Sequence, residues 1–307
     1  MQSFGCVYQH MHLLVTVKVQ YFILGCTIRI YKNRREGLKT ILITGATDGI
    51  GLETVKMLAK EGHRIILHGR NQNKLDNIKG ALEAQYPSCS LSTVKGDLSD
   101  FEEVYQVVRD VKAQTNHLDV LINNAGVFSM DNPTTSTGLD ARFMVNTIAP
   151  YILTTSLLTL MGSESRVVNL SSAAQSPVNF SALKGNVPLT DGAAYAQSKL
   201  AITMWTQYLG AKYAKNTESG PKMVAVNPKS LLGSKMVKTA YGIAGGDLNI
   251  GAQILVDAAF SSRFAHVAGE YFDNDHNTFA APHPFASDAK NVTTLVEEMD
   301  ALIAQFR

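Results

Sequence analysis

Cysteine is scarce in this chain, and neither sign of charge is in marked excess. The 307 residues include three cysteines, Cys6, Cys26 and Cys89. Three cannot all pair, and their spacing suits neither a disulfide framework nor a thiolate metal site. Reduced thiols in a cytosolic setting are the expected state, and no metal is expected. The formal net charge is +2, and apart from Lys32-Asn-Arg-Arg35 the basic residues are scattered, so nucleic acid is not an expected partner. With 45% hydrophobic and 18% charged residues, the composition is that of an ordinary globular protein. Neither an internal repeat nor a low-complexity linker divides the chain, and residues 39–307 read as a single domain.

A clean apolar run of the roughly 20 residues needed to cross a bilayer is also missing. Leu13–Tyr31 comes nearest, but Lys18, Gln20 and Arg29 interrupt it. The basic run that follows would orient a membrane segment, so membrane contact through residues 13–35 stands as the alternative. The alternation Val15, Val17, Val19, Tyr21 and the pair Ile28, Ile30 suit short strands around Gly25 instead. No small-residue cleavage site follows. Residues 1–38 are therefore read as an N-terminal accessory extension and the protein as cytoplasmic, with membrane association the lesser reading.

From Lys39 onward, strand and helix patterns alternate. Strands are expected at Thr40–Thr44, Arg64–His68, Leu91–Lys95, Val120–Asn123, Arg166–Leu170, Met223–Val226 and Glu270–Phe272. Helical patterns include Ile50–Glu61, Phe101–Ala113, Gly138–Met161, Ala193–Ala214 and an amphipathic closing helix at Asp288–Phe306. Apolar strands separated by helices predict an α/β fold, a doubly wound parallel sheet of about seven strands with helices on both faces.

Residues Thr44–Gly51 read TGATDGIG, between the first strand and the first helix. Gly45 permits a tight turn, Gly49 lets the backbone approach a phosphate, and Gly51 lets the helix pack closely on its strand. A pyrophosphate would meet unpaired N–H groups and the positive end of the helix dipole there.

Further along, Tyr195 and Lys199 lie four residues apart on one helix face. A neighbouring ammonium favours a phenolate, so the expectation is a Tyr195 pKa lowered toward the range useful for proton transfer. Ser171 and Ser172 end the Arg166–Leu170 strand, at the sheet edge where ligands bind, and only one of them should reach a substrate. Asn123-Asn-Ala-Gly126 follows another strand, where small residues let the backbone pass close to a ligand, and Asp97 closes the third strand. Asn146 sits in an apolar helical pattern and must find hydrogen bonds. It braces a water near Lys199 or caps a kink before Pro150.

Together these motifs, over about residues 39–275, resemble the classical short-chain dehydrogenase/reductase family, loosely its retinol-dehydrogenase and protochlorophyllide-reductase side. The looser likeness rests on Asn179-Phe-Ser-Ala-Leu and on the longer segment between Ser172 and Tyr195. The resemblance implies a Rossmann fold and a catalytic tetrad of Asn146, Ser172, Tyr195 and Lys199, with Ser171 as the fallback serine. Tyr195 would be the general acid/base, Ser172 would polarise the carbonyl, and Lys199 would hold the nicotinamide ribose. Cofactor contacts would come from Gly45, Thr47, Asp48, Gly49, Ile50 and Gly51 around the pyrophosphate. Asp97 and Leu98 would contact adenine, Asn124, Ala125 and Gly126 the adenine ribose side, and Pro228 the far end. Pairing of protomers through the helices holding Asn146 and Tyr195 is also implied, hence a homo-oligomer.

No acidic residue ends the second strand; Arg70 stands there instead, which favours NADP(H) over NAD(H). Asp48 departs from the basic residue that many NADP-dependent members carry. Lys229 departs further, because it follows Pro228 where the family usually has Gly, and a positive φ there would strain it. Gly233 stands where the family usually has Thr. Leu231, Leu232, Met236, Val237, Tyr241 and Ile243 read as an apolar lid or as packing only, and a lid would suit a small lipophilic carbonyl or alcohol substrate. The leading expectation is a carbonyl/alcohol oxidoreductase; a catalytically weak dinucleotide-binding scaffold is the alternative. An epimerase would need TGxxGxxG and a larger C-terminal domain, and neither is present.

Overall fold

Strand residues alternate between two apolar layers, which is why the sheet is covered on both faces. In the computed structural model, which describes residues 37–215 and 220–306, the parallel strands are β1 (Thr40–Ile43), β2 (Arg64–Gly69), β3 (Ser90–Lys95), β4 (Val120–Asn123), β5 (Arg166–Leu170), β6 (Lys222–Asn227) and β7 (Tyr271–Asp273). Their order is β3-β2-β1-β4-β5-β6-β7. Leu42, Ile66, Leu121, Val167 and Met223 face one core, while Ile41, Ile43, Ile65, Leu67, Val168 and Val224 face the other. The seven parallel strands meet the expectation of about seven, and an eighth, β8 (Thr278–Ala280), is added antiparallel on β7. Three residues are too few to show a period, and the hairpin turns on Asn277 at φ 53, a left-handed conformation that Asn tolerates.

Helices α1 (Gly49–Lys60), α2 (Gln72–Gln85), α3 (Phe101–Gln114), α4 (Ala141–Leu160), α5 (Phe180–Leu183), α6 (Asp191–Lys215), α7 (Lys235–Tyr241), α8 (Leu248–Phe260) and α9 (Ala289–Ile303) connect or follow the strands. α3, α4, α6 and α9 supply the first core; α1, α2 and α8 supply the second. Side-chain N-caps begin most of them: Asp48, Asn71, Asp100, Ser234, Asp247 and Asp288 each accept an N–H of their own first turn. α4 is long and apolar enough to cross a bilayer by length and composition, but 72% of its most apolar window is buried, as suits a core helix. The segment 13–35, with its short-strand and membrane readings, lies outside the described residues.

A buried polar ladder ties the first core to the sheet. Asn123 on β4 donates to Thr154 of α4 (3.2 Å) and to Asn169 of β5 (2.8 Å), and Asn169 donates to Thr206 of α6 (2.8 Å). Each of these residues is at most 1% exposed, so losing a member would strand a buried polar group. β1 neighbours β2 on one side and β4 on the other, so the chain reverses direction across the sheet here. The crevice beyond the carboxyl ends of β1 and β4 is the place where such sheets bind ligands.

Two glycines test this packing in opposite directions. A Cβ on Gly210 of α6 would fall against the backbone of Ala268 and Gly269, whereas one on Gly80 of α2 meets nothing within 4 Å. Gly210→Ala is expected to destabilise by about 1–3 kcal/mol, and Gly80→Ala to stabilise by about 0.5–1 kcal/mol. Urea unfolding of the two variants measures both signs.

Candidate active site

The glycine-rich turn after β1 forms the floor of the crevice. Gly45 and Gly49 have φ of 65° and 54°, conformations that side chains resist. Asn124 and Ala125 donate their backbone N–H groups to Thr44 Oγ1, both at 3.0 Å, and the Asn124 amide donates to the carbonyls of Thr44 (2.8 Å) and Gly45 (3.1 Å). Asn124 lines the cavity, but its amide is committed to clamping the turn. A Cβ on Gly51 would collide with Gly45 O and with that amide, which is the close helix–strand packing expected of the third glycine.

His68, which the sequence reading passed over, braces the turn from below. Its Nδ1 accepts from Gly45 N (3.4 Å), so Nε2 carries the proton and donates to Gly96 O (3.1 Å). Burial pushes its pKa down to about 4, so the ring is neutral at neutral pH. A lone histidine ending an otherwise apolar strand was the available signal.

Across the turn, β5 and α6 bring the chemistry together. Ser171 is buried, and its hydroxyl is spent on Lys199 O (2.9 Å) and Thr203 Oγ1 (2.6 Å). Ser172 is the serine that reaches Tyr195, hydrogen bonding to its phenol. Lys199 is 4% exposed and donates from Nζ to Leu170 O at 2.7 Å; its Nζ lies 5.6 Å from the Tyr195 ring centroid.

The expected lowering of the Tyr195 pKa is corrected. Burial pushes the phenol above its ordinary value and Tyr241 adds to the rise, while the Ser172 hydrogen bond opposes it. Burial also pushes Lys199 down to about 7, so it carries only part of its charge at neutral pH and turns its donor toward Leu170.

Asn146 lies beneath this group and lines no part of the cavity. It sits in a π-helical turn, Met144–Ile148, within α4. Its amide accepts from Val127 N (2.8 Å) and donates to Val127 O (2.9 Å) and Ser198 Oγ (3.0 Å). Thr147 Oγ1 donates to Ser198 O (2.8 Å), joining α4 to α6 at the same level.

One turn earlier, the fully buried Arg142 forks onto Asp140 (2.8 and 2.6 Å) and pairs with Asp191, which opens α6. Asp191 also accepts from Ser129 Oγ at 2.6 Å. Arg142 was missed; a charge standing immediately before the apolar stretch Phe143–Leu153 was its signal.

A cavity of about 430 Å³ joins these parts. Gly45, Thr47, Asp48, Gly49, Ile50, Gly51, Arg70, Asp97, Leu98, Asn124, Ala125, Gly126, Ser172, Tyr195, Lys199 and Pro228 all line it. At its mouth Arg70 faces Asp97 (3.7 Å) and Lys235 pairs with Asp48 (2.6 Å). Over Tyr195 lies an apolar cap that includes Phe128, with ring centroids 4.9 Å apart, and Tyr241 beyond it.

Lys229, also on the wall, has φ 115°, and Leu231 has φ 54°. The conformation suited to glycine is therefore kept without one. Strained backbone of this kind costs about 1–3 kcal/mol per residue.

Burial of Lys199 makes stability depend on pH. An unfolded lysine titrates near 10.4, whereas Lys199 does so near 7. Between those values the unfolded chain holds a proton that the folded one lacks, so stability rises with pH from about 7 toward 10. Below about pH 7 both states are protonated and the contribution is flat. The stability of wild type minus that of Lys199→Met, followed by denaturant unfolding, is expected to grow across this window.

The model of the short chain dehydrogenase family matches residues 39–240. Retinol dehydrogenase 12 of Bos taurus is 31% identical over 257 residues, covering 80% of each chain. Among solved structures, a protein of Mycobacterium Paratuberculosis superposes with a TM-score of 0.72 at 22% identity, over 87% of this chain and 93% of its own. The RhlG/NADP complex of Pseudomonas aeruginosa gives 0.61 at 18% identity, over 76% and 94%. The structural likenesses establish the Rossmann fold, and the sequence matches establish the kinship: this chain belongs to the short chain dehydrogenase family of alcohol/carbonyl oxidoreductases, on its retinol-dehydrogenase-like side.

Proposed function

We propose that this protein interconverts a carbonyl and an alcohol on a small lipophilic substrate, using NADP(H), with Tyr195 as general acid/base. The observation that carries the reading is the convergence of Ser172, Tyr195 and Lys199 on the same cavity wall, opposite the glycine-rich turn and under the apolar cap. The residues present suit a dinucleotide. Gly45 and Gly49 hold the positive φ of a phosphate-cradling turn, and Gly126 leaves room where a Cβ would come within 3.5 Å of Lys199 Nζ. The nicotinamide, when bound, supplies or accepts the hydride. Tyr195 exchanges the proton with the substrate oxygen, Ser172 donates a hydrogen bond to that oxygen, and Lys199 holds the ribose beside Tyr195. Asn146 fixes the Val127 backbone and the Ser198 hydroxyl, keeping α6 at its distance from β4.

Arg70 at the end of β2 supports NADP(H), since its guanidinium is free to leave an exposed, 3.7 Å pairing with Asp97 for a phosphate. The apolar cap, together with a relative named as a retinol dehydrogenase, supports a lipophilic substrate. The strain at Lys229 favours the second reading, a weakly catalytic dinucleotide-binding scaffold. A homo-oligomer and a cytoplasmic setting complete the proposal.

Two variants test it. Arg70→Ala is expected to weaken NADPH binding about tenfold or more and to leave NADH nearly unchanged, as read by fluorescence titration. Tyr195→Phe is expected to keep NADPH affinity while slowing NADPH-dependent reduction of long-chain aldehydes and all-trans-retinal by about 10²–10⁴-fold. A wild type that binds NADPH but turns over none of these would favour the scaffold.

A further inference from the structure

Two of the three non-glycine residues with positive φ among the described residues, Lys229 and Leu231, fall within three positions of each other on the cavity wall. Such backbone persists only where its surroundings hold it. The β7–β8 turn holds the segment from one side, while the Gly246 N–H donates to Leu231 O (2.8 Å) from the other. Asp275 accepts from Ser230 N (3.0 Å), from Ser230 Oγ (2.5 Å) and from Asn227 Nδ2 (2.8 Å). Asn274 donates to Pro228 O (3.0 Å), and Asp273 accepts from Asn227 Nδ2 (2.7 Å) and from the Asp275 N–H (3.1 Å). Every residue from Asn227 to Ser230 is thus tied to this turn or, for Lys229, to Asn227 Oδ1. Asp275 alone grips Ser230, the residue between the two strained ones.

We propose that Asp275 is a positioning residue for the cofactor site, holding the Lys229–Leu231 segment in its left-handed conformation and so keeping the cavity wall shaped for the dinucleotide. The proposal rests on the dinucleotide-binding reading given above. Its consequence is a specific coupling. Glycine adopts a positive φ freely, so a chain with Gly at 229 has less need of the grip.

The test is a double-mutant cycle on the full chain with NADPH as the probe, read by energy transfer from Trp205, the only tryptophan. Asp275→Ala is expected to weaken NADPH binding about tenfold in the wild-type background, but no more than about threefold in a Lys229→Gly background. Thermal unfolding is recorded alongside, because a purely structural residue would lower the melting temperature without making NADPH affinity depend on the residue at 229. Should Asp275→Ala not fold, Asp275→Asn, which keeps one acceptor oxygen for Ser230, is read in the same cycle. An equal loss of affinity in both backgrounds, or no loss in either, overturns the proposal while leaving the dinucleotide reading intact. Absence of NADPH and NADH binding by wild type overturns the dinucleotide reading, and the proposal with it.

Discussion

The site is built around the buried side chain of Lys199. Lys199 Nζ donates to the Leu170 carbonyl at 2.7 Å, and an ammonium out of water must be held by dipoles placed in advance. That requirement constrains everything nearby. The carboxyl end of β5 has to stop where its last carbonyl meets α6. A Cβ on Gly126 would stand in ordinary contact with Nζ (3.5 Å) and with Asn146 Oδ1 (3.4 Å), so this position borders both groups. Ser171 is drawn inward to the Lys199 carbonyl, which leaves Ser172 as the hydroxyl that faces Tyr195. The depressed Lys199 pKa and the raised Tyr195 pKa share a cause, since burial disfavours the charged form of each. A protonated phenol and a partly neutral amine follow, a pair whose proton sits on the tyrosine at neutral pH.

Holding a helix that carries such a residue takes contacts along its length. α4 and α6 are pinned at successive levels, first by Arg142 on Asp191, then by Asn146 and Thr147 on Ser198, and deeper by the Thr154–Asn123–Asn169–Thr206 ladder. The π turn at Met144–Ile148 explains how the second level is reached. An inserted residue per turn re-aims the side chains that follow, and it turns Asn146 toward both Val127 and Ser198. The Asn146 amide joins both backbone groups of Val127 to the Ser198 hydroxyl.

Features encoded by near neighbours were legible in the sequence. The glycine spacing, the apolar strands, the Tyr–Lys interval and the serine after β5 each depend on a few consecutive residues, and each stands where it was expected. The departure at Lys229 was legible too, because Pro228 marks the position and the strain follows from the missing glycine. What escaped depends on partners far along the chain. The acid that answers Lys229 lies 46 positions away, in a hairpin whose second strand is too short to show a pattern. Arg142 reads as the neighbour of Asp140 alone until Asp191 is brought to it, and His68 reads as a strand residue until Gly45 and Gly96 flank it. The Tyr195 pKa was misjudged for a related reason: spacing shows that a lysine is near, but the burial of both groups outweighs their proximity.

The mouth of the cavity obeys a different rule from its interior. Inside, Lys199, Ser171 and His68 are each fixed by a buried partner and are costly to disturb. At the rim, Arg70 with Asp97 and Lys235 with Asp48 are pairs whose cations are 65% and 75% exposed, and such pairs are worth about 0–1 kcal/mol. Either cation can leave its acid for a phosphate at little cost, so the unusual Asp48 need not oppose an anionic ligand. It also caps α1 through Gly49 N at 2.9 Å and keeps Lys235, at the start of α7, beside the glycine-rich turn. The same carboxylate thus starts one helix and anchors the next segment across the cleft. A basic residue in its place would attract phosphate directly but would repel Lys235, and the cation would then have to be supplied without the tie that α7 now has to the turn.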